Sequence, residues 1–115
     1  MCQDGGMIDL AGEFADLHAH ICKGLADPKR LLILNALRDG ERSVSDLVDE
    51  LALPQANVSQ HLAVLRDRGL VETRRDGQRV FYSVTSVKIV QAMDLLREVM
   101  HMQAERDPGF LTRVG

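Results

Sequence analysis

The sequence predicts a mainly α-helical domain that carries one β-hairpin, and three observations predict it. Apolar residues recur at helical spacing through most of the chain, the period shortens toward two over residues 70–84, and Asp-Pro, Ser and Gly signals separate the helical stretches. The core is aliphatic, because aromatic residues make up only 3% of the chain (Phe14, Phe81, Phe110 and Tyr82).

Residues 1–7 are aperiodic and contain two glycines, which reads as a flexible N-terminal arm. Residues 8–25 form an amphipathic first helix, with Leu10, Phe14, Leu17, Ile21 and Leu25 on one side and Glu13, Asp16, His20 and Lys23 opposite. Asp27 and Pro28 supply a cap and a first-turn proline, and Asp39-Gly40 supplies a stop, so residues 29–38 form a second helix. Its run Leu31-Leu32-Ile33-Leu34 is apolar nearly all round and is expected in the middle of the core.

Ser43 and Asp46 have the spacing of a capping box, and Val44, Leu47, Val48 and Leu51 continue the helical stripe. Ala52-Leu53-Pro54 interrupts it, Val58, Leu62 and Leu65 restart it, and Gly69 ends it in the position of a left-handed cap. Two short helices about a tight break form a helix-turn-helix. Residues 70–75 and 78–84 then flank Asp76-Gly77, expected as a type I′ turn, which makes a hairpin with an arginine-rich tip. From residue 86 to 103 the helical period returns, with Ile89, Ala92, Met93, Leu96, Val99 and Met100 on one apolar face. Residues 104–115 are expected to be a fraying tail. The order of elements is that of a winged helix-turn-helix domain over residues 8–103.

Length and composition restrict the function classes. A chain of 115 residues with 45% hydrophobic and 27% charged residues holds one modest core and is neither a disordered tail nor a fibre. So few aromatics argue against a single-strand binder that stacks bases. Two cysteines, Cys2 and Cys22, cannot staple a secreted scaffold, and the N-terminus lacks a signal-peptide pattern, so a cytoplasmic location is expected. No apolar stretch approaches the roughly 20 residues needed to span a bilayer, so no membrane partner is expected. No paired carboxylates, glycine-rich phosphate loop or Ser/His/Asp arrangement suggests an enzyme.

The net charge of −3 argues weakly against a nucleic-acid partner, but its distribution does not. Residues 1–27 and 41–53 are acidic, whereas residues 28–40 and 54–84 each carry a net charge of +2. The second of these basic segments holds short hydrogen-bonding side chains at the start of its helix: Gln55, Asn57, Ser59 and Gln60. Such groups suit a helix entering the major groove of duplex DNA, where Gln and Asn can pair bidentately with adenine. At the hairpin tip, Arg74, Arg75 and Arg79 suit phosphates or the neighbouring minor groove, and strand alternation should send only some of them toward DNA. His61 has two readings, a phosphate contact or a packing histidine beside Val58 and Leu65. Arg66 and Arg68 either reach phosphate or complement the helix C-terminus.

The stretches Leu25-Ala-Asp-Pro-Lys-Arg-Leu-Leu-Ile-Leu34, Asn57-Val-Ser-Gln-His-Leu-Ala-Val-Leu-Arg66 and Arg75-Asp-Gly-Gln-Arg-Val-Phe-Tyr-Ser83 resemble the ArsR/SmtB family of bacterial transcriptional repressors. The resemblance implies a homodimer joined through the first and last helices, bound to a palindromic double-stranded DNA operator and released by an inducer. By the same resemblance Gln55, Asn57, Ser59, Gln60 and His61 match the recognition helix. Asn57 stands where the family often has Ser.

The family's known sensor sites are not matched. Where its soft-metal sensors carry cysteines, this chain has Ser43-Val-Ser-Asp-Leu-Val48, which offers no thiolate. The positions matching the zinc and nickel ligands are Ser86, Lys88, Val99 and Met102, and the cysteine pair of persulfide sensors is missing. What remains is His18 and Cys22, expected one turn apart on the apolar side of the first helix, with His101 or Met100 of a partner and Cys2 of the arm as further candidates. This set has three readings: a metal or arsenical site, a thiol or redox switch, and plain interface packing. Metal and cofactor therefore stay open. Two other function classes stay open as well: a winged protein-interaction module without DNA binding, and a repressor with no small-molecule effector.

Overall fold

The computed structural model describes residues 9–113. They fall into two compact units with the boundary between Thr85 and Ser86. The first unit opens with α1 (Leu10–Asp16), a six-residue π turn (Leu17–Cys22) and α2 (Lys23–Leu25) in one helical path. Within the turn the Lys23 amide donates to the His18 carbonyl, five residues back. Within this wide turn the Ala19 carbonyl oxygen accepts from the guanidinium of Arg68. Further on, Gly24 is buried, and a Cβ there would lie 2.6 Å from Leu70 Cδ1, so glycine permits the close approach.

Asp27 caps α3 (Pro28–Ala36) by accepting the Lys29 amide at 2.8 Å. Ile33, Leu34 and Leu37 of this region are fully buried, but Leu31 and Leu32 are 37% and 50% exposed. The apolar run expected at the centre of the core is thus half outside it, because consecutive helical residues cannot all face one side.

Ser43 and Asp46 close the capping box of α4 (Val44–Leu51) reciprocally: each side chain bonds the other residue's amide, at 3.2 and 3.1 Å. Ahead of it lies β1 (Arg42–Ser43), which the sequence reading did not include, since two residues carry no periodicity. Ala52 ends α4 in the left-handed region, with φ 55° and ψ 41°. Next, α5 (Gln55–Asp67) packs Val58, Leu62 and Leu65 into the core at full burial. It ends in a Schellman motif: Gly69 has φ +78°, its amide bonds the Arg66 carbonyl, and the Leu70 amide bonds the Leu65 carbonyl.

The antiparallel strands β2 (Val71–Asp76) and β3 (Arg79–Val84) follow, and β3 lies between β2 and β1 in the sheet. Asp76 pairs with Arg79, so the loop is Gly77-Gln78 and not the expected Asp76-Gly77. Gly77 has φ +64° and neither Asp76 nor Gln78 has a positive φ, the signs of a type II′ turn rather than type I′. Glycine takes the single left-handed position, and that fixes the register.

The second unit consists of α6 (Val87–Arg106), capped by Ser86, and α7 (Phe110–Arg113). Val90 and Met93 are its buried residues, while Leu95, Leu96, Val99 and Met102 are exposed. Of the expected tail, residues 104–106 continue α6, and Asp107 pairs with Arg113 at 2.5 Å across the break at Pro108-Gly109. No helix among the described residues is long and apolar enough to cross a membrane.

Candidate nucleic-acid interface

The helix-turn-helix is α4, the break at Ala52-Leu53-Pro54, and α5. Its second helix is anchored from inside by Val58, Leu62 and Leu65. Opposite this buried stripe lies a strip of small and polar side chains: Ala56, Ser59, Gln60 and Ala63 are all exposed. The alanines keep the strip shallow, so the hydroxyl of Ser59 and the amide of Gln60 can approach a groove floor without bulky neighbours. Gln55 is exposed at the first turn, and Asn57 is half-buried on the flank. No side chain among the described residues caps the amides that begin α5, and the first turn holds no acid. Free amides at a helix start attract anionic oxygens.

His61 is half-buried, and Arg30 Nη1 donates to its Nδ1 at 3.4 Å. The same guanidinium donates to the Gly24 carbonyl at 2.7 Å and the Lys23 carbonyl at 3.1 Å. His61 is therefore tied inward to the end of α2. Asp27, accepting the Lys29 amide and lying near Arg30 and His61, has its carboxyl held below the usual range. Arg68 is also turned inward, onto Ala19. Arg66 is exposed in the last turn of α5, where its charge complements the helix C-terminus.

In the hairpin, the register places Arg74, Arg79 and Phe81 on one face and Arg75 on the other. Arg74 pairs with Glu41, an acid not singled out in the sequence, and the guanidinium holds the Glu41 carboxyl below its usual range. Arg79 donates to Ser43 Oγ at 3.1 Å and lies 3.9 Å from Asp46. An open groove of about 200 Å³ between the start of α4 and the tip is lined by Ser43, Val44, Ser45, Gln78, Arg79 and Val80. No periodicity marks Glu41 or Ser45 as part of this surface; the short strand β1 brings them to the wing.

The candidate sensor residues are less assembled. His18 and Cys22 both lie exposed in the π turn, whose wider spacing departs from the α-helical register that would bring residues four apart into line. Cys22 is a free thiol. His101 is exposed on α6 in the second unit, and Cys2 lies outside the described residues. No group of three or more His, Cys, Asp or Glu side chains among the described residues could hold a metal ion.

Comparison with known proteins gives this geometry a family. Residues 27–73 match the model of the bacterial regulatory protein, arsR family. The biofilm growth-associated repressor of Xylella fastidiosa is 36% identical over 88 residues, which are 76% of this chain and 77% of that protein. The transcriptional activator HlyU of Vibrio cholerae is 43% identical over 79 residues, 69% of this chain and 73% of its own. Among solved structures, the homodimeric winged helix-turn-helix DNA-binding domain of Mb0332 from Mycobacterium bovis, described as a possible ArsR-family regulator, superposes with a TM-score of 0.70 at 29% identity. That match covers 90% of this chain and 93% of the other. These relatives are transcription regulators, not enzymes. The chain belongs to the bacterial arsR family of regulatory proteins, and is a winged helix-turn-helix transcription regulator that binds DNA.

Proposed function

We propose that this chain is a homodimeric, sequence-specific repressor of the bacterial cytoplasm that reads the major groove with Gln55, Asn57, Ser59 and Gln60 of α5. The observation that carries this reading is the outward strip of Ala56, Ser59, Gln60 and Ala63 on a helix whose other side is fully buried. Short polar groups flanked by alanines have no packing role on an exposed face and match base edges in size and chemistry. Arg75 at the wing adds a phosphate contact. Of the relatives named above one is a repressor and one an activator, so the sign of regulation is part of the proposal, and the homodimer named above supports the assembly. Leu10, Phe14 and Leu17 on the first helical path, and Leu95, Leu96, Val99 and Met102 on α6, are exposed in one copy and serve as the faces that a second copy covers.

Release from DNA is assigned to thiol chemistry at Cys22. This residue is exposed on the π turn, and Arg68 and Gly24 tie that helical path to the C-terminal end of α5. Modification there shifts a helix in direct contact with the reading helix.

The test is a mobility-shift assay at stated salt on an operator selected from random duplexes. Wild type is expected to bind it specifically, and Ser59→Ala with Gln60→Ala to lose the preference while keeping non-specific binding. Intact specificity in that double variant refutes the assignment of α5. A persulfide donor or mild oxidant is then expected to release wild type and not Cys22→Ser, and equal behaviour of the two refutes the sensor assignment.

A further inference from the structure

The wing presents three arginines, and the structure does not leave them equivalent. Arg74 and Arg79 flank Phe81 on one face, with their guanidinium carbons 5.1 and 5.0 Å from the ring centroid. Arg74 also grips both oxygens of Glu41, with Nη2 to Oε1 at 2.5 Å and Nε to Oε2 at 3.1 Å. Arg79 is held by Ser43 Oγ and lies beside Asp46. Arg75, on the opposite face, is exposed, and its side chain has no hydrogen bond, ion pair or ring contact among the described residues.

We propose that Glu41 and Asp46 are built-in competitors of DNA for the wing: they hold Arg74 and Arg79 on the protein, and Arg75 is the wing cation that contacts a phosphate. The proposal rests on the DNA-binding reading above and refines it. A guanidinium already neutralised by a forked carboxylate pair brings no net charge to the duplex, and its planar donors are occupied. An unpaired guanidinium neutralises a phosphate and releases the counterion condensed there. Glu41 and Asp46 then set how much of the wing's charge DNA can use. Glu41 is the stronger brake, since its pair is forked and short where that of Asp46 is single and long.

The dependence of affinity on salt separates these roles. The complex with the selected operator is titrated across a salt series for wild type, Arg75→Gln, Arg74→Gln, Glu41→Gln and the double variant Glu41→Gln/Arg74→Gln. With one Arg75 in each of two copies, Arg75→Gln should flatten the slope of log K against log salt by about 2, and Arg74→Gln should leave it nearly unchanged. Glu41→Gln should steepen it by about 2 and tighten binding at low salt, and the double variant should cancel this gain. Circular dichroism and sedimentation confirm that each variant is folded and assembled as the wild type is. Equal flattening by Arg74→Gln and Arg75→Gln, or no steepening by Glu41→Gln, overturns the proposal while the DNA-binding reading stands. A wild type that binds no duplex overturns both.

Discussion

Ala52 offers a direct measurement of strain in the break between the two helices of the motif. Among the described residues it is the one non-glycine with a positive φ, 55° with ψ 41°. An L-residue in the left-handed region lies about 1–2 kcal/mol above its right-handed state, because Cβ crowds the following carbonyl oxygen. Glycine escapes that strain but has a more disordered unfolded chain, which returns about 0.4–1 kcal/mol in the other direction. Ala52 is exposed, so removing its methyl group empties no cavity. Ala52→Gly should therefore stabilise the fold by about 0.5–1 kcal/mol. Urea unfolding reads this as a midpoint raised by about 0.3–0.7 M at unchanged slope. Protomer concentration is held fixed, because dimer assembly makes the midpoint concentration-dependent. The opposite change supplies the control. Gly69 has φ +78° and open space where a Cβ would sit, so Gly69→Ala isolates the backbone effect and should destabilise by the same net amount, about 0.5–1 kcal/mol. A loss of stability in Ala52→Gly alongside the expected loss in Gly69→Ala would refute the strain reasoning.

Ser43→Ala removes the half of the α4 cap in which Oγ accepts the Asp46 amide, and the acceptor for Arg79, while the residue 43 amide keeps its bond to Asp46, so a loss of about 1 kcal/mol in urea unfolding is expected, with a loss near zero counting against the cap. Asp27, Glu41 and Asp46 all have carboxyls held below their ordinary values by backbone amides or arginine. Their contribution is complete above the unfolded values of about 3.9–4.3 and is lost as pH falls through the lower folded values, so the urea midpoint should drop below about pH 4. Asp27→Asn should remove part of that drop, and a midpoint that rises on acidification contradicts the sign. Leu96→Glu places a charge on a side chain that is 64% exposed in one copy. It should leave the subunit folded by circular dichroism, halve the mass in sedimentation and abolish specific DNA binding; a persistent dimer would move the interface elsewhere.

The parts of the fold that were legible in the sequence are those where one residue type dictates one local geometry. Asp27-Pro28, the Ser43/Asp46 box and Gly69 each announced a helix end, and each sits at that end. The α5 stripe of Val58, Leu62 and Leu65 was legible for the same reason, since its period leaves one face free. What escaped depends on contacts between segments far apart. The π turn lies where Arg68 meets the Ala19 carbonyl from 49 positions away, and no local pattern encodes that bond. β1 exists because Arg42 and Ser43 meet Tyr82 and Phe81. The hairpin loop lies one residue beyond the expected Asp-Gly pair, which moves every cross-strand partner by two positions and leaves the faces unchanged, so both registers put Arg74 and Arg79 on one face and Arg75 on the other. Which arginines share a face was therefore legible from the expected turn, whereas the acids that hold them, Glu41 and Asp46, were not.

The partners of these acids also explain how a chain of net charge −3 remains suited to an acidic partner. Of the four acids in residues 41–53, three are held by partners and Asp49 stands exposed. Glu41 is bound to Arg74, Glu50 to Arg42 at 2.5 Å, and Asp46 to the Ser43 amide with Arg79 close by. Each such pair is close to neutral beyond a Debye length of about 10 Å at 0.1 M salt. Residues 55–66 of the reading helix hold no acid. The field that a duplex meets at α5 and the free face of the wing is then set by Arg66, Arg75 and the uncapped amides rather than by the sum over the chain. Few free cations imply few phosphate contacts per copy and a shallow salt dependence, so preference among sequences must come mainly from Ser59, Gln60 and their neighbours at the base edges.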